Sequence, residues 1–287
     1  KCSVPQETEA EVLIVEIDET SLKSYGQWPW PRYLLADLLE EIAKAEPAAV
    51  GINIVFAEKD RTSPVVWQQT LKQKYGYTVD TTNIPPELVD NDIYLSKVLR
   101  RGPFILGYEF LFGESKAQVR RCSLDPLSLI VKGRKTPQLN DMNLHEADDV
   151  ICNYDILAKS AAGEGFLNGA VDKDGILRRL PLLIRFEEKV YPSFALAILM
   201  EYYKHDVLVY DNITADVPAF SLLQQKFMVD NHGKYFLNTQ LQEKSGIFSA
   251  ADILEGRTET RVFKNKIVIV GLAASGLSQT FPTLFSS

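Results

Sequence analysis

Apolar residues follow two rhythms along this chain, and the switch between them predicts its architecture. Val12 to Val15 is a continuous apolar run followed by Ile17, the pattern of a strand buried on both faces. Asp18-Glu19-Thr20-Ser21 closes that run. After Trp28-Pro29-Trp30-Pro31-Arg32 the period changes. Leu34, Leu35, Leu38, Leu39 and Ile42 recur at helical spacing with Asp37, Glu40 and Glu41 between them, so a helix over 32–45 is expected. Pro31 suits its first turn, where a missing N–H costs nothing, and Pro47 stops it. Ala48 to Phe56 is a second apolar, partly β-branched run. Strand, amphipathic helix, strand forms a βαβ unit, whose crossover should be right-handed.

Residues 57–86 read as irregular, with room for a short helix around Val66 to Lys74. Glu87 to Arg101 is expected to be helical and Phe104 to Phe110 a strand. Residues 113–145 are polar and punctuated by Pro126, Gly133 and Pro137, which predicts a long excursion with little regular structure. Two apolar runs, 165–171 and 176–186, flank Asp172-Lys173-Asp174-Gly175, and an Asp-Gly so placed signals a hairpin. Pro192 then opens a helix to residue 204, with Phe194, Ala195, Ile198, Leu199 and Tyr202 as its apolar stripe. Residues 205–238 show short β-like pieces with a turn at Asn231-His232-Gly233. Ser249 is placed to cap a short helix, with Asp252 three residues on and Gly256 at its end. Lys266 to Val270 is one more apolar strand, closed by Gly271. The fold class is α/β: one layered domain over 1–287, a mixed, largely parallel β-sheet flanked by helices. The strands at 12–17, 49–56, 104–110 and 266–270 should share that sheet, the helices at 32–45 and 192–204 should flank it, and the hairpin near Asp172 should supply its antiparallel part.

Composition narrows the function. With 46% hydrophobic and 24% charged residues, the 287-residue chain can bury a substantial core and stay in water. Its net charge of −7 argues against nucleic acid and against an anionic membrane surface as partners. No apolar run approaches the roughly 20 residues that span a bilayer; the richest stretch is Phe194 to Met200. The chain opens on Lys1 without a signal-peptide pattern and stops at Phe285-Ser286-Ser287, which reads as a soluble segment of something longer. Cys2, Cys122 and Cys152 have no zinc spacing. Free thiols are the plainer reading. The alternative is a Cys122–Cys152 disulfide, worth about 3–4 kcal/mol in the chain-entropy view.

Candidate chemistry is sparse. There is no G-x-S-x-G elbow, and His145, His205 and His232 sit in polar or turn-like settings that suit solvated loops. Asp172 and Asp174 are explained by a turn without Ca²⁺. Gly271-Leu-Ala-Ala-Ser-Gly276 follows a strand but lacks the Lys-Ser/Thr ending of a phosphate loop, so it reads as a tight turn. Asp18 and Glu19, at the carboxyl edge of an α/β sheet, lie where ligands usually bind, or else serve helix-capping. Trp28 and Trp30 either line a pocket or staple the helix entrance; both are expected to be mostly buried. Arg32, Arg178 and Arg179 are possible anion contacts. Arg178 and Arg179 adjoin on a strand, so their side chains should face opposite ways.

Three blocks together resemble the CHASE domain of type 2, the "cyclases/histidine kinases associated sensory extracellular" family. The first is Ile17-Asp18-Glu19-x-Ser21-Leu22, Gly26-x-Trp28-Pro29-Trp30-Pro31-Arg32 and Ile52-Asn53-Ile54-Val55-Phe56-Ala57-Glu58. The second is Gly165-Phe166-Leu167-Asn168, Asp172-x-Asp174-Gly175, Arg178-Arg179-x-Pro181-Leu182 and Tyr191-Pro192-Ser193-Phe194-Ala195-Leu196. The third is Ser249-Ala250-Ala251-Asp252-Ile253-Leu254-x-Gly256 and Lys264-Asn265-Lys266-Ile267-Val268-Ile269-Val270-Gly271. The blocks span nearly the whole chain. Two departures stand out: the family usually has Asp where this chain has Asn53, and often Pro where it has Lys59. A missing carboxylate at 53 weakens any metal or cationic-ligand role for that strand end.

The resemblance implies a sensory domain outside the cytoplasmic membrane, anchored by flanking transmembrane helices. It implies a cytoplasmic output that is an adenylate cyclase, histidine kinase, diguanylate cyclase or serine/threonine kinase. The expected partners are an unknown small-molecule or environmental signal and a second copy of the chain, as a homodimer in the full-length receptor. Candidate ligand-binding residues are Asp18, Glu19, Trp28, Trp30, Arg32, Asn53, Glu58, Asp172, Asp174 and Arg178. No catalytic residue, metal or cofactor is expected. A structural dimerisation module and a periplasmic hydrolase using Asp18 or Glu19 with Asp172 or Asp174 are the competing readings.

Overall fold

A computed structural model describes residues 11–113, 122–132, 142–169, 174, 176–211, 217–237 and 246–274. Asp172, Gly175, Gly276 and Cys2 lie outside the described residues. Strand β1 (Val12–Ile17) runs into a short helix α1 (Glu19–Tyr25), and helix α2 (Arg32–Ala43) leads to β2 (Ala49–Asn53). Helices α3 (Pro64–Tyr75), α4 (Pro86–Val89) and α5 (Asn91–Leu99) precede β3 (Phe104–Leu111). Strands β4 (Ser128–Val131) and β5 (Asp149–Ile151), helix α6 (Asp155–Ala158) and strand β6 (Gly163–Phe166) follow. Then β7 (Arg179–Pro181), β8 (Leu183–Phe186) and β9 (Lys189–Pro192) lead into helix α7 (Phe194–Tyr203). Strands β10 (Val207–Asp211), β11 (Ala219–Leu222), β12 (Gln225–Met228) and β13 (Lys234–Phe236) are followed by β14 (Ile247–Ser249), α8 (Ala250–Leu254) and β15 (Ile267–Leu272).

The main sheet has the order β14-β1-β15-β2-β3-β5, with β6 also paired to β3. The four expected strands do share it. All its pairs are parallel except β3 with β5. Register places Val15, Val270, Ile52 and Leu106 in one row across β1, β15, β2 and β3. All four are buried, under the Leu34, Leu35, Leu38, Leu39 and Ile42 stripe of α2. That burial of one apolar face against another is the main favourable term holding the layer. β1 alternates buried and half-buried residues rather than being equally buried on both faces. Its second face looks toward a layer made largely by α7, which covers the middle of the sheet through Ala197 and Ile198.

Helix α7 has cores on two sides. Leu196 joins a separate cluster with Leu183, Leu208, Phe220 and Leu222, beneath the smaller sheet β12-β11-β10-β4. This double burial explains why α7 is apolar nearly all round instead of carrying a single stripe. Leu196, Ala197 and Ile198 are its buried residues, and Ala195 is exposed.

The turn of the hairpin expected around Asp172 lies outside the described residues, and the described strands on either side of it do not pair with each other. β6 pairs in parallel with β3, and β7 pairs with β13. The tertiary partner wins because Gly165 lets the chain lie directly on α7: a Cβ there would sit 2.6 Å from Phe194 Cα. The antiparallel part of the main sheet is β5 instead. The hairpin that does form joins β8 to β9 through Glu187 and Glu188, with φ of 47° and 59°. Those are the dihedrals of a type I′ turn, made without the Asn or Gly that usually betrays one. Residues 87–101 form two helices, because Asp90 leaves helical geometry and its carboxylate caps α5 by accepting the Asp92 N–H at 2.9 Å.

Cys122 and Cys152 form a disulfide, with Cα atoms 5.9 Å apart across a sequence separation of 30. The free-thiol reading is therefore corrected. Spacing alone could not show that β5, held against β3, brings Cys152 to the segment before β4. Replacing both cysteines with serine should cost about 3–4 kcal/mol, because the unfolded chain regains the loop entropy. Urea unfolding with the disulfide intact and absent measures this, and a difference below about 1 kcal/mol would contradict it.

Candidate functional site

The carboxyl edge of the sheet is occupied by structural contacts. Asp18 ends β1 and caps α1: its Oδ1 accepts the Ser21 N–H at 2.8 Å, the Ser21 hydroxyl at 2.6 Å and the Ser249 hydroxyl at 2.9 Å. Burial pushes its carboxyl up, but the Ser21 and Ser249 hydrogen bonds outweigh that and hold it below the usual range. Ser249 does not cap α8 with its own side chain. The Ser21 hydroxyl does so from a distance, accepting the Ala251 N–H at 3.0 Å. Asp252, expected in that cap, pairs with Arg257. Glu19 is exposed in the first turn of α1, and Asn53 is exposed at the end of β2, opposite Gly271.

Arg32 opens α2 and is buried. Its guanidinium pairs with Asp92, donates to the Glu58 carbonyl and lies 4.9 Å over the Phe56 ring. Its backbone N–H is taken by Asp60 Oδ2 at 2.8 Å, so Asp60 caps a helix whose own N-cap residue is Pro31. Asp60 also accepts from Asn91 at 2.8 Å and from Thr62. Burial raises the Asp60 carboxyl and these hydrogen bonds more than reverse it, whereas burial lifts Asp92 above its ordinary value despite Arg32. The Glu58 side chain is exposed and pairs with Arg61.

The two indoles divide. Trp30 is 3% exposed and its N–H donates to the Gly26 carbonyl at 2.9 Å, stapling the start of α2. Trp28 is only half-buried against the same core, short of the expected burial. Asp174 pairs bidentately with Arg178 at 2.9 and 2.8 Å, and that arginine takes its carboxyl down to about 2. Arg179 pairs instead with Asp230, as opposed side chains should. His145 is not a solvated loop residue. Its ring stacks on His232 at 5.9 Å, its Nε2 is buried without a partner among the described residues, and burial lowers its proton affinity.

A cavity of about 520 Å³ opens elsewhere, between β3 and β6, the segment Leu124–Ser128 and the C-terminal half of α7. Glu164 and Tyr108 line it. Asn153 orients Glu164: its amide donates to Glu164 Oε1 at 2.8 Å and to the Gly107 carbonyl at 2.9 Å, while its oxygen accepts the Phe56 N–H at 2.7 Å. Burial, with the Asp125 and Asp155 carboxylates adding, pushes Glu164 up to about 7, against the hydrogen bond from Asn153. The Tyr108 hydroxyl, on a side chain 1% exposed, has no hydrogen-bond partner among the described residues. Sequence reasoning missed Glu164, Tyr108 and Asn153. The one signal was a carboxylate between two glycines in the short strand Gly163-Glu164-Gly165-Phe166; nothing local marks the other two.

The raised Glu164 value has a testable sign. The folded state holds this proton more tightly than the unfolded chain, whose glutamate titrates near 4.5. The stabilisation is therefore complete below about pH 4.5 and is lost as pH rises through about 7. Between about pH 5 and pH 8 the wild type should lose about 2–3 kcal/mol that Glu164→Gln retains. Urea melts of both proteins at the two pH values measure the difference; parallel pH slopes would contradict it.

Among the described residues, no helix is long and apolar enough to cross a membrane and no group of three or more His, Cys, Asp or Glu is placed to hold a metal. No curated protein and no solved structure matches the chain. The family model of the CHASE2 domain matches residues 2–286. CHASE2 domains are extracellular sensory domains of signalling proteins, not catalytic ones. With essentially its whole length matched, this chain belongs to the CHASE2 domain family.

Proposed function

We propose that this chain is the extracytoplasmic sensory domain of a bacterial membrane-bound signalling protein, working as one unit. It passes its signal through flanking transmembrane helices to a cytoplasmic adenylate cyclase, histidine kinase, diguanylate cyclase or serine/threonine kinase. The observation that carries the placement is the Cys122–Cys152 disulfide. Such bonds persist in oxidising compartments and are rare where thiols are kept reduced. The sensory role is supported by the family and by the cavity, whose walls come from the main sheet and from α7, the helix that also packs on the second core. A signal that resettles α7 would move one core against the other. It can bias that movement only by its differential affinity for the two arrangements.

A domain tied to membrane helices transmits only what changes the geometry of its ends. The output classes named above generally work in pairs, so the full-length receptor is proposed to be a homodimer. The isolated chain should be a monomer or weak dimer, since the membrane helices that raise the effective concentration are missing. The test scans single cysteines over exposed positions of the full-length receptor, with Cys2 replaced and the disulfide kept. Some positions should crosslink in pairs and shift the output activity. An active output with no crosslinked pair at any position would defeat the dimeric sensor.

A further inference from the structure

The geometry points to the cavity between β3, β6 and α7 as a binding site for a small primary alkylamine, its ammonium held by Glu164 and its carbon chain by the apolar wall. The volume, about 520 Å³, falls within the range of small-molecule sites. Its polar groups are pre-set. Asn153 is fixed by two backbone groups and holds one Glu164 oxygen in place, so the carboxylate is oriented before any ligand arrives. Tyr108 borders the cavity, but its hydroxyl is closed off from it and has no partner among the described residues, so Glu164 is the group that meets a ligand.

Charge selects the class of ligand. Carboxylates of Asp125, Glu164, Glu201 and Asp206 line the cavity, and the one lysine in the lining, Lys204, is ion-paired with Glu201. An anion would meet repulsion there. An ammonium supplies three donors to acceptor-rich walls. Leu124, Leu127 and Met200 give the remaining lining an apolar character suited to methylene groups.

The inference takes from the preceding reading only that the domain senses a signal, and it is tested on the 287-residue chain in solution, so its failure leaves the membrane placement untouched. Calorimetric titration at about pH 8, where Glu164 is mostly ionised, compares n-butylamine and 1,4-diaminobutane with the neutral 1,4-butanediol and the dianion succinate. The amines should bind and the diol and succinate should not. Glu164→Gln keeps the shape and the Asn153 contact, and should weaken amine binding by about ten- to a hundredfold, as loss of a charge-assisted hydrogen bond does. Absence of amine binding, equal binding of the diol, or unchanged affinity in Glu164→Gln would each overturn the assignment.

Discussion

Trp30→Ala should lower the free energy of unfolding by about 3–5 kcal/mol, as truncation of a large buried aromatic does. Trp30 lies in the core beside Leu34 and Leu35, edge-on to Tyr25 at 5.8 Å, and its N–H is committed to the Gly26 carbonyl. The alanine variant opens a cavity at the point where α2 joins the layer. Trp28→Ala should cost clearly less, because that indole is only partly buried against the core. Trp30→Phe separates the two contributions: most of the packing survives and the lost hydrogen bond should cost about 1 kcal/mol. Chemical denaturation of the three variants measures the ranking. A loss below about 1 kcal/mol for Trp30→Ala, or a larger loss for Trp28→Ala, would refute the staple.

Arg32→Ala should be as damaging, at about 3–5 kcal/mol, because it strands a charge in the interior. Asp92 is 2% exposed, and with Arg32 gone its carboxylate has lost its counter-ion. The damage should depend on pH. Burial already raises Asp92, and removing the guanidinium raises it further, so the variant keeps its stability at low pH and loses it as pH rises through the new value. The double variant Arg32→Met with Asp92→Leu should recover much of the loss, since well-packed apolar residues often replace a buried ion pair at little cost. A thermodynamic cycle over Arg32→Met, Asp92→Leu and the double variant tests this. Additive losses without recovery would mean that the pair is not coupled.

The strands and helices that line the main core were legible because their patterns are local. The Leu34–Ile42 stripe and the runs at 12–17 and 267–270 each carry their period within a few residues. The order of the sheet was not legible. β15, near the far end of the described chain, lies between β1 and β2, a pairing of distant segments that no local pattern encodes. The pairing of the runs that flank Asp172 was not legible for the same reason: β6 and β7 found partners in β3 and β13. At the candidate site the residue types mattered less than their surroundings. Asp18, Arg32 and Asp174 look like ligand contacts in the sequence, yet folding gives each of them a partner within the chain. Glu164 looks unremarkable until Asn153, Asp125 and the apolar wall are assembled around it by distant parts of the chain.

The proposed placement can be read directly in cells making the full-length protein. Helix α3 carries no buried residue, so Gln69→Cys puts an exposed thiol on its surface without disturbing a core. In a background lacking Cys2, with Cys122 and Cys152 tied in their disulfide, this is the one reactive thiol of residues 1–287. A membrane-impermeant maleimide should label it in intact spheroplasts as fully as in permeabilised ones. Labelling that appears only after the membrane is opened would place the domain on the cytoplasmic side and contradict the account.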